Sequence, residues 1–420
     1  MITKFKNIAK NKKSLIFLDQ ILVSGSNFLL GILLARFLGL DIFGQFSLLW
    51  LIVLFFSSIQ LALIISPLLT HAPKKNKLIK DYYLTNMLYM QFIFSIICVL
   101  ILSILFYFSE LITSKYNISE FRYYILWMVF SFLCQDFIRR YFIIKISYFR
   151  LIFIDVIAYI GQLIGISSLI FFEQLTLINT FISISLTFTI SFAVGYLQIN
   201  FKSLKSTHIK LLFLKNWKFS KWLVYSSLLQ WGSGNFYILV AGSILGPWSV
   251  GVIKVMQNTM GIFHVIFIAL ENILPIRFAE IYKNNGYQKT ISFFKIQLQY
   301  GFYIFLVLIS VLFIYGEELI LVIYGDEYVS YSYLLFGFMI MYIFIYIGML
   351  QRYILRTIEN TKKIFINYII TTIFSVIASF ILIKTLEING VVIGMILTQI
   401  LTSIIFFIEI KKISLKSAND

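Results

Sequence analysis

Charge is scarce in this sequence. Only 13% of its 420 residues are charged and 60% are hydrophobic, where soluble proteins carry roughly 25% charge. A soluble chain keeps much of its surface in water, and this one has too little polar surface to cover it. That excludes a soluble enzyme, a nucleic-acid-binding domain and a disordered chain, and leaves a polytopic membrane protein. Cysteine is nearly absent: Cys98 and Cys134 both fall within apolar runs and suggest neither a disulfide framework nor a metal cluster. The three histidines, His71, His208 and His264, are scattered and make no zinc motif, so no cofactor is expected. Only four prolines interrupt the chain, which suits long helices. Acid is scarcer than base: 18 Asp and Glu face 35 Lys and Arg, a net charge of +17.

What fills the chain is apolar length. Runs of about 20 apolar residues cross a bilayer as helices, because lipid offers backbone polar groups no partner. Twelve such runs are legible: 15–38, 42–70, 83–108, 123–141, 151–172, 177–197, 222–246, 248–275, 291–314, 331–350, 364–384 and 391–410. They are continuous rather than alternating, so the expected class is all-α and not a barrel. The first run follows a basic segment, MITKFKNIAKNKK. It is too long for a signal peptide and lacks a small-residue cleavage site, so an uncleaved helix is expected.

The basic excess sorts by side. With the N-terminus in the cytoplasm, segments 1–14, 71–82, 135–150, 198–221, 276–295, 351–363 and 411–420 hold 30 of the 35 Lys and Arg. Cytoplasmic loops carry such an excess, so most of the +17 sets orientation rather than binding a partner. No loop exceeds about 25 residues, which leaves no room for an outer catalytic domain. The longest outer stretch, about 314–331, is short and acidic, unlike that of a glycan polymerase or ligase. No enzymatic activity is expected.

The two halves are related. In SGSNFLLGILLARFLGLDIFGQF (24–46) and GSGNFYILVAGSILGPWSVGVI (232–253), Asn27-Phe28 aligns with Asn235-Phe236 at an offset of 208. Leu38-Gly39-x4-Gly44 aligns with Leu245-Gly246-x4-Gly251 at 207, and Pro67 pairs with Pro275 at 208. Both halves start on the same side, the arrangement of parallel repeats about an axis along the membrane normal. The expected organisation is a six-helix lobe at 1–200, a cytoplasmic linker at 201–221 and a second lobe at 222–420. Gly39, Gly44, Gly246 and Gly251 mark short outer turns, where glycine tolerates positive φ; close helix packing is the alternative role.

Several segments resemble one family. LLARFLGLDIFGQFSLLW (33–50), with LDQILVSGSNF (18–28) before it, is similar to the N-terminal signature of the flippases that move O-antigen and capsule repeat units. CQDFIRRYFI (134–143), WGSGNFYILVAGSILGPWSVGVIKVMQN (231–258) and ALENILPIRFAEIY (269–282) resemble later segments of that family. It belongs to the multidrug/oligosaccharidyl-lipid/polysaccharide exporter superfamily, whose other branches share the fold. The resemblance implies a two-lobe, alternating-access carrier in the bacterial cytoplasmic membrane, with both termini inside. Its implied substrate is an oligosaccharide on a polyprenyl pyrophosphate, flipped from the inner to the outer leaflet for surface polysaccharide synthesis. Proton or sodium coupling and a polysaccharide polymerase partner go with that role. The alternative is a cation-coupled multidrug exporter.

Ionisable residues at membrane depth are costly and mark function by default. Asp19 and Arg36 lie 17 residues apart on the first helix, about 25 Å along its axis. Lys254 and Glu271 repeat that separation on the eighth. Arg36 and Lys254 suit an anionic pyrophosphate, although Arg36 also fits an interfacial anchor. Asn27, Asn235, Gln60 and Trp231 are polar groups at depth that suit sugar hydroxyls, or simply bond across helices. Asp19, Glu271 and Asp155 are the acids available to a coupling ion; an interfacial pair with Arg150 is the plainer role for Asp155. Arg139 and Arg140, with Asp136 at helical spacing, suit a cytoplasmic entry for pyrophosphate or a positive-inside anchor. Trp217, Trp222 and Trp248 fit an interfacial belt.

Overall fold

The computed structural model describes residues 12–112, 118–199 and 206–419. The first eleven residues, Lys115, residue 200 and residues 201–205 of the expected linker lie outside them. The described residues are almost wholly helical: α1 (Lys12–Leu38), α2 (Leu40–Gln60, continued by a π turn Leu61–Ile65 and Ser66–His71), α3 (Lys77–Ile112) and α4 (Ile118–Ile144). Then come α5 (Tyr148–Asp155, continued by a π turn Val156–Ile160 and Gly161–Phe171), α6 (Leu177–Leu197), α7 (Ser206–Ile244) and α8 (Pro247–Thr259). The last are α9 (Gly261–Tyr324), the 3-10 turn Asp326–Tyr331, α10 (Leu334–Thr357) and α11 (Thr361–Asn419). Pro247 sits in the first turn of α8, where the missing N–H has no intrahelical partner to lose.

Eight stretches among the described residues are long and apolar enough to cross a membrane by length and composition, so this is a multi-pass membrane protein. Two of them, Ile273–Tyr324 with 52 residues and Thr361–Ile413 with 53, exceed twice the length of a single crossing. Each lies in a helix that bends once, α9 at Gly286 with φ 75° and α11 at Glu387 with φ 51°. The loop expected between 384 and 391 is thus a bend. The expected linker also differs: from Ser206 it is already the start of α7.

The described parts of Met1–Leu38 and Leu49–Leu228 form one compact unit, and those of Gly39–Leu48 and Leu229–Asp420 form another. In the first, α4 packs against α3 and α6. Trp50, Phe132, Phe188 and Tyr159 form an edge-to-face chain through it, with centroids 5.3–6.1 Å apart. In the second, α10 packs against α9 and α11, around Phe263, Phe267, Phe305, Tyr342 and Tyr346.

The second unit also joins the two glycine turns singled out in the sequence. Gly39 and Gly246 both have positive φ, 77° and 104°. A Cβ on Gly44 would stand 1.9 Å from the Pro247 carbonyl oxygen, and one on Gly251 would stand 2.4 Å from that of Leu40. The two contacts are equivalents at an offset of 207, each glycine facing the carbonyl four residues before its counterpart. The glycines therefore serve both roles, the turn at one position and close backbone approach at the other.

Candidate functional site

Charge is concentrated at one buried place in the first unit. α1 supplies Asp19, and α4 supplies Gln135 and Arg139 one turn apart. Asp155 stands at the end of the first segment of α5, where the π turn begins. Arg139 donates through Nε to Asp155 Oδ2 at 2.8 Å and through Nη2 to Asp19 Oδ2 at 3.1 Å. Gln135 Nε2 donates to Asp155 Oδ1 at 3.2 Å. The Tyr159 ring lies 5.6 Å from the guanidinium carbon. Relative exposure is 0% for Asp155, 4% for Asp19 and 8% for Arg139. Two carboxylates thus share one guanidinium, and buried charge is tolerated only when paired and hydrogen-bonded. Among the described residues, Asp19 Oδ1 and Gln135 Oε1 are buried without a hydrogen-bond partner. The π turn contributes to this site: such turns widen a helix locally and cluster at functional places. Here Ser191 Oγ donates to the Ile154 carbonyl at 2.7 Å, beside it.

The cluster corrects one expectation, the partner of Asp155. Both carboxylates hold Arg139 inside the unit. Asp155 pairs with Arg139 rather than Arg150, whose Nη1 donates to the Gln198 carbonyl at 3.3 Å. Arg140 is half-buried against Asp136 at 3.4 Å and stands apart from the triad. Gln60 bonds across helices. It precedes the other π turn and donates through Nε2 to Gln91 Oε1 at 2.9 Å and to the Leu133 carbonyl at 2.7 Å. Gln91 donates on to Ser95 Oγ at 2.9 Å. The Gln60 amide nitrogen thus ties α2 to α3 and α4, while its Oε1 is buried without a hydrogen-bond partner among the described residues.

In the second unit Lys254 is half-buried on α8. Its Nζ donates to Gln257 Oε1 at 3.3 Å on the same helix, and no carboxylate lies within 4 Å among the described residues. Asn235 is half-buried and donates to the Trp231 carbonyl at 2.9 Å; Trp231 is half-buried beside it. Glu271 is exposed on α9, while Asn27 and Arg36 are exposed on α1 of the first unit. The structure therefore gathers Asp19, Arg139 and Asp155 in the first unit, and in the second it joins Asn235 to the Trp231 carbonyl. Gln135 and Tyr159 are members that sequence inspection missed. The i, i+4 step from Gln135 to Arg139 was the available signal for the first.

Known structures define the class. The chain superposes on an inward-facing multidrug resistance MATE family transporter of the MOP superfamily with a TM-score of 0.75, at 14% identity and 96% coverage of both chains. The lipid II flippase MurJ in an inward closed conformation matches with a TM-score of 0.69 at 16% identity, covering 95% of this chain and 87% of that one. A MOP superfamily transporter from Pyrococcus furiosus matches at 0.56 and 13% identity, over 96% and 95%. No curated protein matches by sequence. The fold is thus that of the MOP-superfamily transporters and flippases. Residues 33–333 match the polysaccharide biosynthesis protein family, and the chain belongs to it.

Proposed function

We propose that this protein flips a polyprenyl-pyrophosphate-linked oligosaccharide repeat unit from the cytoplasmic to the outer leaflet of the bacterial cytoplasmic membrane. The observation that carries this reading is membership of the polysaccharide biosynthesis family on a fold that a lipid II flippase also adopts. The physical need is plain: a sugar pyrophosphate cannot cross about 30 Å of hydrocarbon unaided, whereas its lipid tail stays in the bilayer. Residues 1–200 and 222–420 form the two six-helix lobes of an alternating-access carrier with both termini inside, joined through 201–221. The equivalent contacts of Gly44 and Gly251 support that repeat, as does Gln135-x2-Ile138-x-Arg140 reappearing as Gln351-x2-Ile354-x-Arg356.

Lys254, a cation with no acid beside it, and Arg36 hold the pyrophosphate; Asn27, Asn235 and Trp231 meet the sugar. Asp19 and Asp155 outnumber Arg139 by one charge, so the cluster takes up a proton or sodium ion as the coupling ion. Glu271 is the acid available for that role in the second half. The flipped unit passes to a polymerase. Deleting the gene should trap lipid-linked repeat units on the cytoplasmic face, and normal surface glycan in the deletion strain would sink the reading. The likeness to a multidrug transporter supports a second reading, cation-coupled drug export. Drug susceptibility that rises on deletion while surface glycan stays normal would favour it.

A further inference from the structure

We propose that one end of the first unit, built from residues 71–75 and 212–225, is a binding surface for the phosphate headgroups of anionic phospholipids. α7 has 39 residues, about 58 Å of helix, against about 30 Å of hydrocarbon. Its polar first turns therefore stand at the interface or beyond it. They are fixed to the unit along one face. Asn216 Nδ2 lies 3.1 Å from Met87 Sδ, Ser220 Oγ lies 3.5 Å from the Leu63 carbonyl, and the Phe219 ring meets His71 at 5.1 Å.

The opposite face is cationic and aromatic. Lys215 and Lys218 are exposed, and between them Trp217 stacks on Phe213 at 6.4 Å, both rings exposed. Lys221 lies over Trp222 at 5.7 Å. Lys74 is exposed next door, and Lys75 lies over the Tyr83 ring at 5.0 Å. The His71–Phe219 contact brings Lys74 and Lys75 to the same end of the unit as Lys215 and Lys218. None of the five lysines has a carboxylate within 4 Å among the described residues. Like charges gathered without an acid repel one another, and a bound anion relieves that repulsion. The exposed tryptophans fix where the anion comes from. Such rings sit at headgroup level, so the complementary partner is a phosphate carried by the bilayer rather than one free in solution.

Brominated lipids test this directly, because they quench tryptophan at short range. The full-length protein is placed in phosphatidylcholine bilayers containing a small fraction of brominated phosphatidylglycerol, or the same fraction of brominated phosphatidylcholine. The signal of Trp217 and Trp222 is taken as the difference from a W217F/W222F variant. Each lysine at an anionic surface is worth about fivefold in local enrichment, so two engaged lysines give about twenty-five-fold preference for phosphatidylglycerol. Lys74, Lys75, Lys215, Lys218 and Lys221 changed together to Gln should abolish the preference. Five exposed lysines elsewhere, Lys283, Lys289, Lys362, Lys384 and Lys411, changed to Gln should leave it intact. Should the first variant fail to fold, K215Q/K218Q should weaken the preference severalfold. Equal quenching by the two lipids, or a preference that survives in the lysine variants, overturns the proposal. Transport is not measured, so the result is independent of the substrate assigned above.

Discussion

Arg139 shows why a buried ion pair is costly to break. Removing it leaves Asp19 and Asp155 facing each other inside the unit, and an uncompensated buried charge costs about 3–5 kcal/mol. Arg139→Leu should therefore lower the thermal unfolding midpoint of the detergent-purified protein, or its membrane yield. The triple variant that also carries Asp19→Asn and Asp155→Asn should recover most of the loss. An Arg139→Leu protein as stable as the parent would show that the carboxylates are not charged together. Lys254 is the opposite case, since it has a hydrogen bond and, among the described residues, no carboxylate within 4 Å to leave behind. Lys254→Glu should abolish export of the glycan with the protein still in the membrane, and Lys254→Arg should keep much of it. Quantifying surface glycan beside membrane-fraction protein separates the two variants. Full export by Lys254→Glu removes this residue from the site.

At the level of elements, the helices were legible and their irregularities were not. Long apolar runs with few prolines announce helices wherever they occur, because a bilayer permits little else. The two π turns carry no such mark: Leu61–Ile65 and Val156–Ile160 are ordinary apolar pentapeptides, and only packing selects the extra residue. Pairing was equally hidden, since Asp19 and Arg139 lie 120 residues apart and nothing local says that they meet. The glycines, by contrast, were visible as a repeat, and the structure turns that pattern into a steric requirement. Gly44→Ala places a methyl 1.9 Å from a carbonyl oxygen of the backbone, which has no rotamer by which to retreat. Overpacking of this kind costs about 1–3 kcal/mol or more. Gly234→Ala meets nothing within 4 Å in its helix and should be neutral or stabilising by up to about 1 kcal/mol. Thermal unfolding of the two variants should thus differ in sign or clearly in size, and equal midpoints would mean that the backbones at Gly44 and Pro247 do not approach so closely.

At the level of the whole molecule, orientation is argued from charge alone, so it is the claim most open to direct measurement. The basic segments define one side: 30 of the 35 Lys and Arg fall in alternate loops, and a membrane potential and anionic inner leaflet hold such loops inside. Glu173 and Glu317 then lie outside, while Lys75 and Glu359 lie inside. The chain is well suited to cysteine labelling, because both native cysteines, Cys98 and Cys134, are buried, whereas Lys75, Glu173, Glu317 and Glu359 are not. In intact cells a membrane-impermeant maleimide should label Glu173→Cys and Glu317→Cys and spare Lys75→Cys and Glu359→Cys. All four should react once the membrane is opened. Because Glu173 and Glu317 come from different halves, the experiment also tests the count of crossings between them. Labelling of one but not the other would require an odd number, which the twelve-span, two-repeat arrangement forbids. Labelling confined to Lys75→Cys and Glu359→Cys would instead invert the protein and leave the distribution of its lysines without a physical cause.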